Sequence, residues 1–429
     1  MNAECGVRNA ECKSKAAFLW DESFLWGVMA YKALRAARLP FDLVRAADLR
    51  SGRLDGYEML FVPGGWASNK IKALGPEGVE AVRRFVEGGG SYLGFCGGAG
   101  LATEDGIGLV PVRRRPTAER VPSFSGRIRL STSDHAIWSG INEPVFTAWW
   151  PSQFVADGAE PAVLARYGDA LPDAFSSDVN VGDAEKNGNW AKLEQLYGIN
   201  LNPARLKGEP TVMEGRFGKG RVLLSLLHFD TPDDANGARV LTNLWKHLAP
   251  GVVNQVQSAP CTRASTRNRW AQAECEVRNT GTKPVDLQVI EDSVENLIGL
   301  GEQNQLWSWR TPLLLQWRRG VRGLEYCTLA VLVREIAERL GNQAGGVPEI
   351  NGRLQRIKTL LLPFAEKAGR LLLLERQAMQ GAHITYERCD DPDVQALRDE
   401  LFSRSKSYGG LFKELLDEID ALLYEVLTA

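Results

Sequence analysis

The sequence predicts an α/β protein: a mostly parallel sheet flanked by helices, followed by a mainly α-helical C-terminal domain. Three observations carry this. Apolar runs of strand length alternate with segments of helical spacing as far as Gly98, the pattern of a parallel sheet with helices on both faces. A hairpin pattern then delivers a strongly apolar run, Val222 to Leu227, into His228. From Ser293 onward apolar residues recur at helical spacing. At 429 residues the chain is too long for one ordinary core, so two or three domains are expected.

Ala16 to Trp20 is a short apolar run between Lys15 and Asp21, suited to a buried strand. Ser23 is placed to cap a helix through Trp26, Met29, Ala30, Leu34 and Ala37 that ends before Pro40. Phe41 to Arg45 and Met59 to Val62 read as the second and third strands, the third running into Pro63-Gly64-Gly65. Val79, Val82 and Val86 give Gly78 to Glu87 helical spacing, broken by Gly88 to Gly90. The fourth strand, Ser91 to Phe95, leads straight into Cys96-Gly97-Gly98. Val110 to about Gly168 reads as a mixed antiparallel extension. Ala170 to Lys207 carries no clear period and is expected as a long surface insertion, with some helix around Trp190 to Tyr197. Thr211 to Leu227 reads as a hairpin turning at Gly218 to Gly220. A helix from about Ala235 to Leu248 ends at Pro250-Gly251, a natural boundary.

Beyond it, Trp270 to Val289 alternates apolar and polar residues around Asn279 to Pro284, which suggests one β-hairpin. Helical stripes then cover Leu329 to Leu340, Leu354 to Met379 and Val394 to Leu427, the pattern of a bundle or a long helical hairpin. The expected division is a flexible tail at 1–14, where Asn-Ala-Glu-Cys occurs twice, an α/β domain at 15–250, a linker with a β-hairpin at 251–292, and a helical domain at 293–429.

Hydrophobic residues make up 44% and charged residues 24%, ordinary values for a globular protein. A net charge of -2 makes no electrostatic case for nucleic acid or an anionic membrane. No apolar run approaches the ~20 residues of a membrane span, and the first residues lack the apolar stretch of a secretory signal. Seven cysteines without a CxxC pair fit free thiols better than a disulfide framework or a zinc site. The expectation is a soluble, cytoplasmic protein with no cofactor, no metal, no nucleic acid and no membrane among its partners.

The strongest local signal is Gly94-Phe95-Cys96-Gly97-Gly98 between a strand and a short helix. A nucleophile elbow needs small neighbours, because its central residue sits in a strained turn against the sheet. Such a turn lifts the sulfur above the strand ends and aims it at a helix N-terminus, which favours thiolate. The Gly97 N–H, with donors from the Gly64-Gly65 loop, would face a developing oxyanion. The plain alternative is a buried structural cysteine in a Gly-rich turn. A thiol nucleophile needs a base, and the chain holds four histidines. His228 leaves an apolar strand and is followed two residues later by Asp230, which can fix its tautomer. His135 follows Ser133-Asp134 in an expected loop, His247 lies on a helix, and His383 falls in the C-terminal region.

Pro63-Gly-Gly65, Gly94-Phe-Cys-Gly-Gly98, Gly218-Lys-Gly-Arg-Val222 and His228-Phe-Asp230 occur in the order found in the class I glutamine amidotransferase-like superfamily. Within it the chain most resembles the biotin–protein ligase N-terminal type of domain, through Asp134 to Gly140, Ala148-Trp-Trp150 and Leu164-Ala-Arg-Tyr167. The resemblance covers about residues 15 to 250. It implies a flavodoxin-like amidotransferase fold, with Cys96, His228 and Asp230 as catalytic residues and Gly64, Gly65 and Gly97 around the oxyanion. Two departures bear on substrate: Gly98-Ala-Gly100 lacks the Gln usual after the nucleophile, and the acid is Asp230 where Glu is usual. Asp233 or Asp234 could substitute for it, and Glu22, after the first strand, is a further carboxylate that contacts the thiol in cousins of the superfamily.

Other features fit plainer readings. Arg113-Arg-Arg-Pro116 reads as a solvated loop, with an anion site as the alternative. Trp307, Trp309 and Trp317 suit core or interface packing better than a sugar platform. Two functions follow. The first is a cysteine-dependent enzyme acting on a small-molecule or amide substrate through a thioester. The second is a non-catalytic scaffold whose C-terminal helices bind a protein partner.

Overall fold

The computed structural model describes residues 16–156, 158, 161–251, 283–341, 348–404 and 407–429. Among them the chain divides into two packing units. One comprises 16–23, 30–174 and 188–251; the other comprises 24–29, 175–187 and the described residues from 283 to 429.

The first unit is built on a sheet whose parallel half alternates with helices. Ala16–Leu19 (β1) is followed by Phe24–Ala36 (α1), Phe41–Val44 (β2), Ala46–Arg50 (α2), Met59–Val62 (β3), Ala67–Glu87 (α3), Ser91–Phe95 (β4) and the single turn Gly97–Leu101 (α4). Ser23 stands at the N-cap position of α1, but its hydroxyl donates to the Leu19 carbonyl and caps no helix N–H. α3 begins earlier than the Val79–Val86 spacing predicts; it breaks at Gly75 (φ 63°) and resumes at Pro76, where proline's missing N–H is harmless. The antiparallel extension comprises Val112–Arg114 (β5), Phe124–Thr132 (β6), Val145–Trp149 (β7), Phe154–Ala156 (β8) and Ala162–Ala170 (β9).

The chain continues through Phe175–Ser176 (β10), Val179–Asn180 (β11), Val181–Asn187 (α5), Trp190–Tyr197 (α6), the hairpin Pro210–Phe217 (β12) and Gly220–Ser225 (β13), and Ala235–Leu248 (α7). In the first unit β2, β1, β3, β4 and β13 run parallel in that order. β12, β9, β6 and β7 then extend the sheet antiparallel. The fold class expected from the sequence is the one observed.

Apolar strands buried on both faces hold this unit together. Phe18, Phe61, Phe95, Phe229 and Trp245 are fully buried. Phe61 meets Phe18, Phe95 and Trp245 edge-on at 5.2, 5.2 and 5.8 Å, and Phe95 meets Phe229 at 5.6 Å. Such pairs add about 0.5–1.5 kcal/mol each beyond area burial. Phe229, between His228 and Asp230, thereby pins their loop to the strand that carries Cys96.

The second unit is mainly helical: Val285–Gln303 (α8), Gly323–Leu340 (α9), Pro348–Ala378 (α10), Pro392–Phe402 (α11) and Gly410–Thr428 (α12). Val285 to Val289, expected as the end of a hairpin, form the opening turns of α8, because Pro284 starts a helix there. The rest of that expected hairpin, like the tail at 1–14, lies outside the described residues. A different hairpin, Trp307–Thr311 (β14) with Leu314–Trp317 (β15), interrupts the helices. Trp307 stacks against Tyr326 at 4.9 Å, donates to the Ile298 carbonyl and is buried. Its role is packing. No helix among the described residues is long and apolar enough to cross a membrane.

Candidate active site

Three adjacent parallel strands end at one edge of the sheet, and their loops meet there. Val62 of β3 pairs with Gly94 of β4, and Phe95 of β4 pairs with Ser225 of β13. The Cys96 N–H extends that ladder by donating to the Ser225 carbonyl at 2.8 Å. The segments Pro63–Gly65, Cys96–Gly98 and Leu226–Asp230 therefore leave level with one another. In open parallel sheets ligands bind outside the carboxyl ends of the strands.

Cys96 adopts φ 48° and ψ -105°, outside the regions that side chains favour. Strain of that kind typically costs about 1–3 kcal/mol and persists where packing over-determines it. Here the packing is visible. A Cβ on Gly97 would stand 1.8 Å from the Gly65 carbonyl oxygen, and one on Gly98 would stand 1.9 Å from that of Val62. The elbow thus needs glycine after the cysteine, and it presses Gly97 against the Gly65 loop. α4 is one turn long, so little macrodipole stands behind the sulfur.

His228 and Asp230 are both completely buried, and Nδ1 lies 2.9 Å from Asp230 Oδ1. The His228 N–H donates to Thr147 in β7, and Thr231 bonds back to the His228 carbonyl while accepting from the Trp149 indole. The loop is clamped on both sides. Burial alone disfavours a charged imidazole. The Asp230 carboxylate and the neighbouring Cys96 side chain outweigh it and raise His228 to about 10. Asp230 Oδ2 is buried and has no hydrogen-bond partner among the described residues.

The geometry thus brings together Cys96, His228, Asp230, Gly65 and Gly97, with Gly64 buried in the β3 loop. Asp233 and Asp234 do not join them, whereas Glu22 packs its backbone against the Gly65 loop, where a Cβ on Gly65 would stand 2.3 Å from the Glu22 carbonyl oxygen. Asp234 caps α7 by accepting from the Gly237 N–H, and Asp233 is exposed. The Glu22 carboxylate accepts from Asn69 Nδ2 at 3.2 Å. Tyr167, whose burial holds it neutral, lies within electrostatic reach of Cys96, as does Arg120. The motif Leu164 to Tyr167 pointed toward the first; the second is a lone arginine in an irregular segment and carries no sequence signal.

His135, Glu214 and His247 bring their ligand atoms within 4.8 Å of one another and are the residues among those described that could hold a metal. Their hydrogen bonds favour a clasp instead. The Ile137 N–H donates to His135 Nδ1, which leaves the ring proton on Nε2, 3.3 Å from Glu214. A metal-binding histidine ordinarily donates from its other nitrogen. His247 Nε2 meets Glu214 at 2.8 Å, with Arg221 3.0 Å from the same nitrogen. His383 is exposed in the second unit.

Residues 55–105 match the family model described as biotin-protein ligase, N terminal. This stretch carries β3 and the Cys96 elbow, and over it the resemblance read from the motifs is borne out. No curated protein matches the sequence. Among solved structures, a Thermoplasma acidophilum protein described as a candidate GMP synthase component is 15% identical, with a TM-score of 0.36 over 57% of this chain and 98% of its own. A cytoplasmic protein of Salmonella typhimurium LT2 is 13% identical, at 0.34 over 55% of this chain and 99% of its own. The β-galactosidase of Bacillus circulans sp. alkalophilus is 15% identical, at 0.34 over 55% of this chain and 31% of its own. At TM-scores this low the likenesses say nothing about chemistry.

Proposed function

We propose that this chain is a cysteine-dependent hydrolase or transferase acting on an amide or similar carbonyl group through a thioester. The observation that supports it is the strained Cys96 turn within reach of a buried imidazole whose Nδ1 is held by Asp230. Cys96 passes its thiol proton to His228 Nε2, the sulfur attacks the carbonyl carbon, and the C=O electron pair moves to oxygen, toward the amides of Gly64, Gly65 and Gly97. When the oxyanion collapses, the C–N bond breaks and the amine leaves with a proton from the His228 imidazolium. Water then adds to the thioester while neutral His228 takes its proton. The C–S bond breaks, and the acid product leaves.

Asp230 keeps the imidazole oriented throughout. Gly98-Ala-Gly100 stands where Gln is usual, which argues against glutamine as the substrate. The test is to incubate the full chain with a panel of carbonyl electrophiles and amide substrates and to map adducts by mass spectrometry. A single acyl adduct on Cys96 is expected. Adducts confined to other thiols, with no turnover of any panel member, would remove the reading.

A further inference from the structure

We propose that Arg114 and Arg120 form an anion-binding subsite beside Cys96, so that the substrate carries a carboxylate or phosphate close to the bond under attack. This rests on the function proposed above and names its substrate class. Arg114 ends β5, and its Nη1 lies 3.0 Å from where a Cβ on Gly100 would stand. Gly100 donates its N–H to the Cys96 carbonyl at 2.9 Å. The guanidinium therefore lies over the turn that follows the elbow, in space that a side chain at position 100 would fill. Arg120, in the loop before β6, lies within electrostatic reach of both Arg114 and Cys96. Its Nη1 donates to Ser152 Oγ at 2.7 Å and its Nη2 to Thr117 Oγ1 at 3.0 Å.

Charge pairing separates these two from their neighbours. Arg115 meets Glu209 through both carboxylate oxygens, and Arg113 lies 3.9 Å from Glu104. Arg114 and Arg120 form no ion pair among the described residues, although the Arg114 backbone N–H donates to Asp105 Oδ2 at 3.2 Å; the Nε of each, like that of Arg115, is buried without a hydrogen-bond partner. Two partly buried guanidinium groups that repel each other and lack a carboxylate are costly as structure. They suit a planar or tetrahedral oxyanion, which arginine binds through paired N–H donors. Burial and Arg114 disfavour charge on Arg120, whereas Cys96 favours it, which couples all three groups.

The subsite is testable without knowing the substrate, by comparing alkylation of Cys96 by anionic iodoacetate and neutral iodoacetamide. In the full chain the iodoacetate-to-iodoacetamide rate ratio should exceed that of free cysteine by roughly tenfold or more, since a charge-assisted hydrogen bond contributes about 1.5–3 kcal/mol. Arg114→Gln and Arg120→Gln should return the ratio toward that of free cysteine. Arg120→Lys, which keeps the charge and the stem, should retain part of it and guards against loss of fold. If both rates fall together and the ratio stays constant, the arginines serve the sulfur and the subsite is refuted.

A second measurement bypasses the thiol. Succinate or inorganic phosphate should raise the Tm of Cys96→Ala, and Arg120→Gln on that background should abolish the rise. Whichever anion acts identifies the oxyanion; no rise with either overturns the subsite. A Cys96 inert to both alkylating reagents in a chain that still binds these anions would sink the proposed function and leave the subsite standing.

Discussion

Asp230 meets His228 Nδ1 at 2.9 Å, and neither side chain has any exposure. Because burial, Asp230 and Cys96 together set the folded imidazole at about 10, above an unfolded value of about 6.5, the sign of its linkage is fixed. The stabilisation is fully present below about pH 6.5 and is lost as pH rises toward 10. Urea denaturation of wild type and His228→Gln at pH 6, 8 and 10 should show the stability gap shrinking upward; a flat or widening gap would exclude a buried imidazolium. The same pair carries the chemistry. On any substrate found in the panel, Cys96→Ala and His228→Ala should lose nearly the same factor in kcat, since they act as one unit. Asp230→Asn should lose less. Unequal losses, with His228→Ala close to wild type, would mean that the imidazole plays no part.

At the scale of elements, the site depends on β3, β4 and β13 ending level. Gly98→Ala would force a Cβ to within 1.9 Å of the Val62 carbonyl, so the β4 loop must shift. Overpacking of this kind costs about 1–3 kcal/mol. The variant should melt earlier and alkylate more slowly at Cys96; wild-type behaviour in both would show that the turn is not held this way. The parallel strands were legible because each is a short, wholly apolar run bounded by charge or glycine, and Met59–Val62 and Ser91–Phe95 stand as read. Cys96 and His228 were legible as a pair because their strands are the apolar ones that end in reactive side chains. Arg120 was not, because only tertiary packing brings an isolated arginine to the elbow. Ser23 looked like a helix cap, yet its hydroxyl turns back to the Leu19 carbonyl and also receives the buried Lys70 ammonium at 2.6 Å. Local propensity yields there to a buried charge that needs partners.

For the whole molecule, the sequence suggested a clean boundary after Pro250, but the two packing units interleave along the chain. Phe24–Met29 and Phe175–Asn187 belong with the helical unit from residue 283 onward. Phe24 packs edge-on against Tyr408 at 5.2 Å, Arg310 covers the Phe175 ring at 4.9 Å, and Gln316 and Arg319 donate to Ser177 and Asp178. No composition shift could reveal this, since the segments lie far from Pro250 in sequence and resemble their surroundings. A chain ending at Gly251 should therefore leave two aromatic side chains and several polar groups without partners. Exposing the buried Phe24 alone forfeits about 1.5–3 kcal/mol. In a domain of this size each kcal/mol shifts Tm by roughly 2–4 °C. The fragment should melt at least several degrees below the corresponding transition of the full chain and bind a hydrophobic dye more strongly, while keeping the α/β far-UV signature. If scanning calorimetry finds the fragment melting at the full-length temperature with no added dye binding, Phe24–Met29 and Phe175–Asn187 do not depend on the second unit.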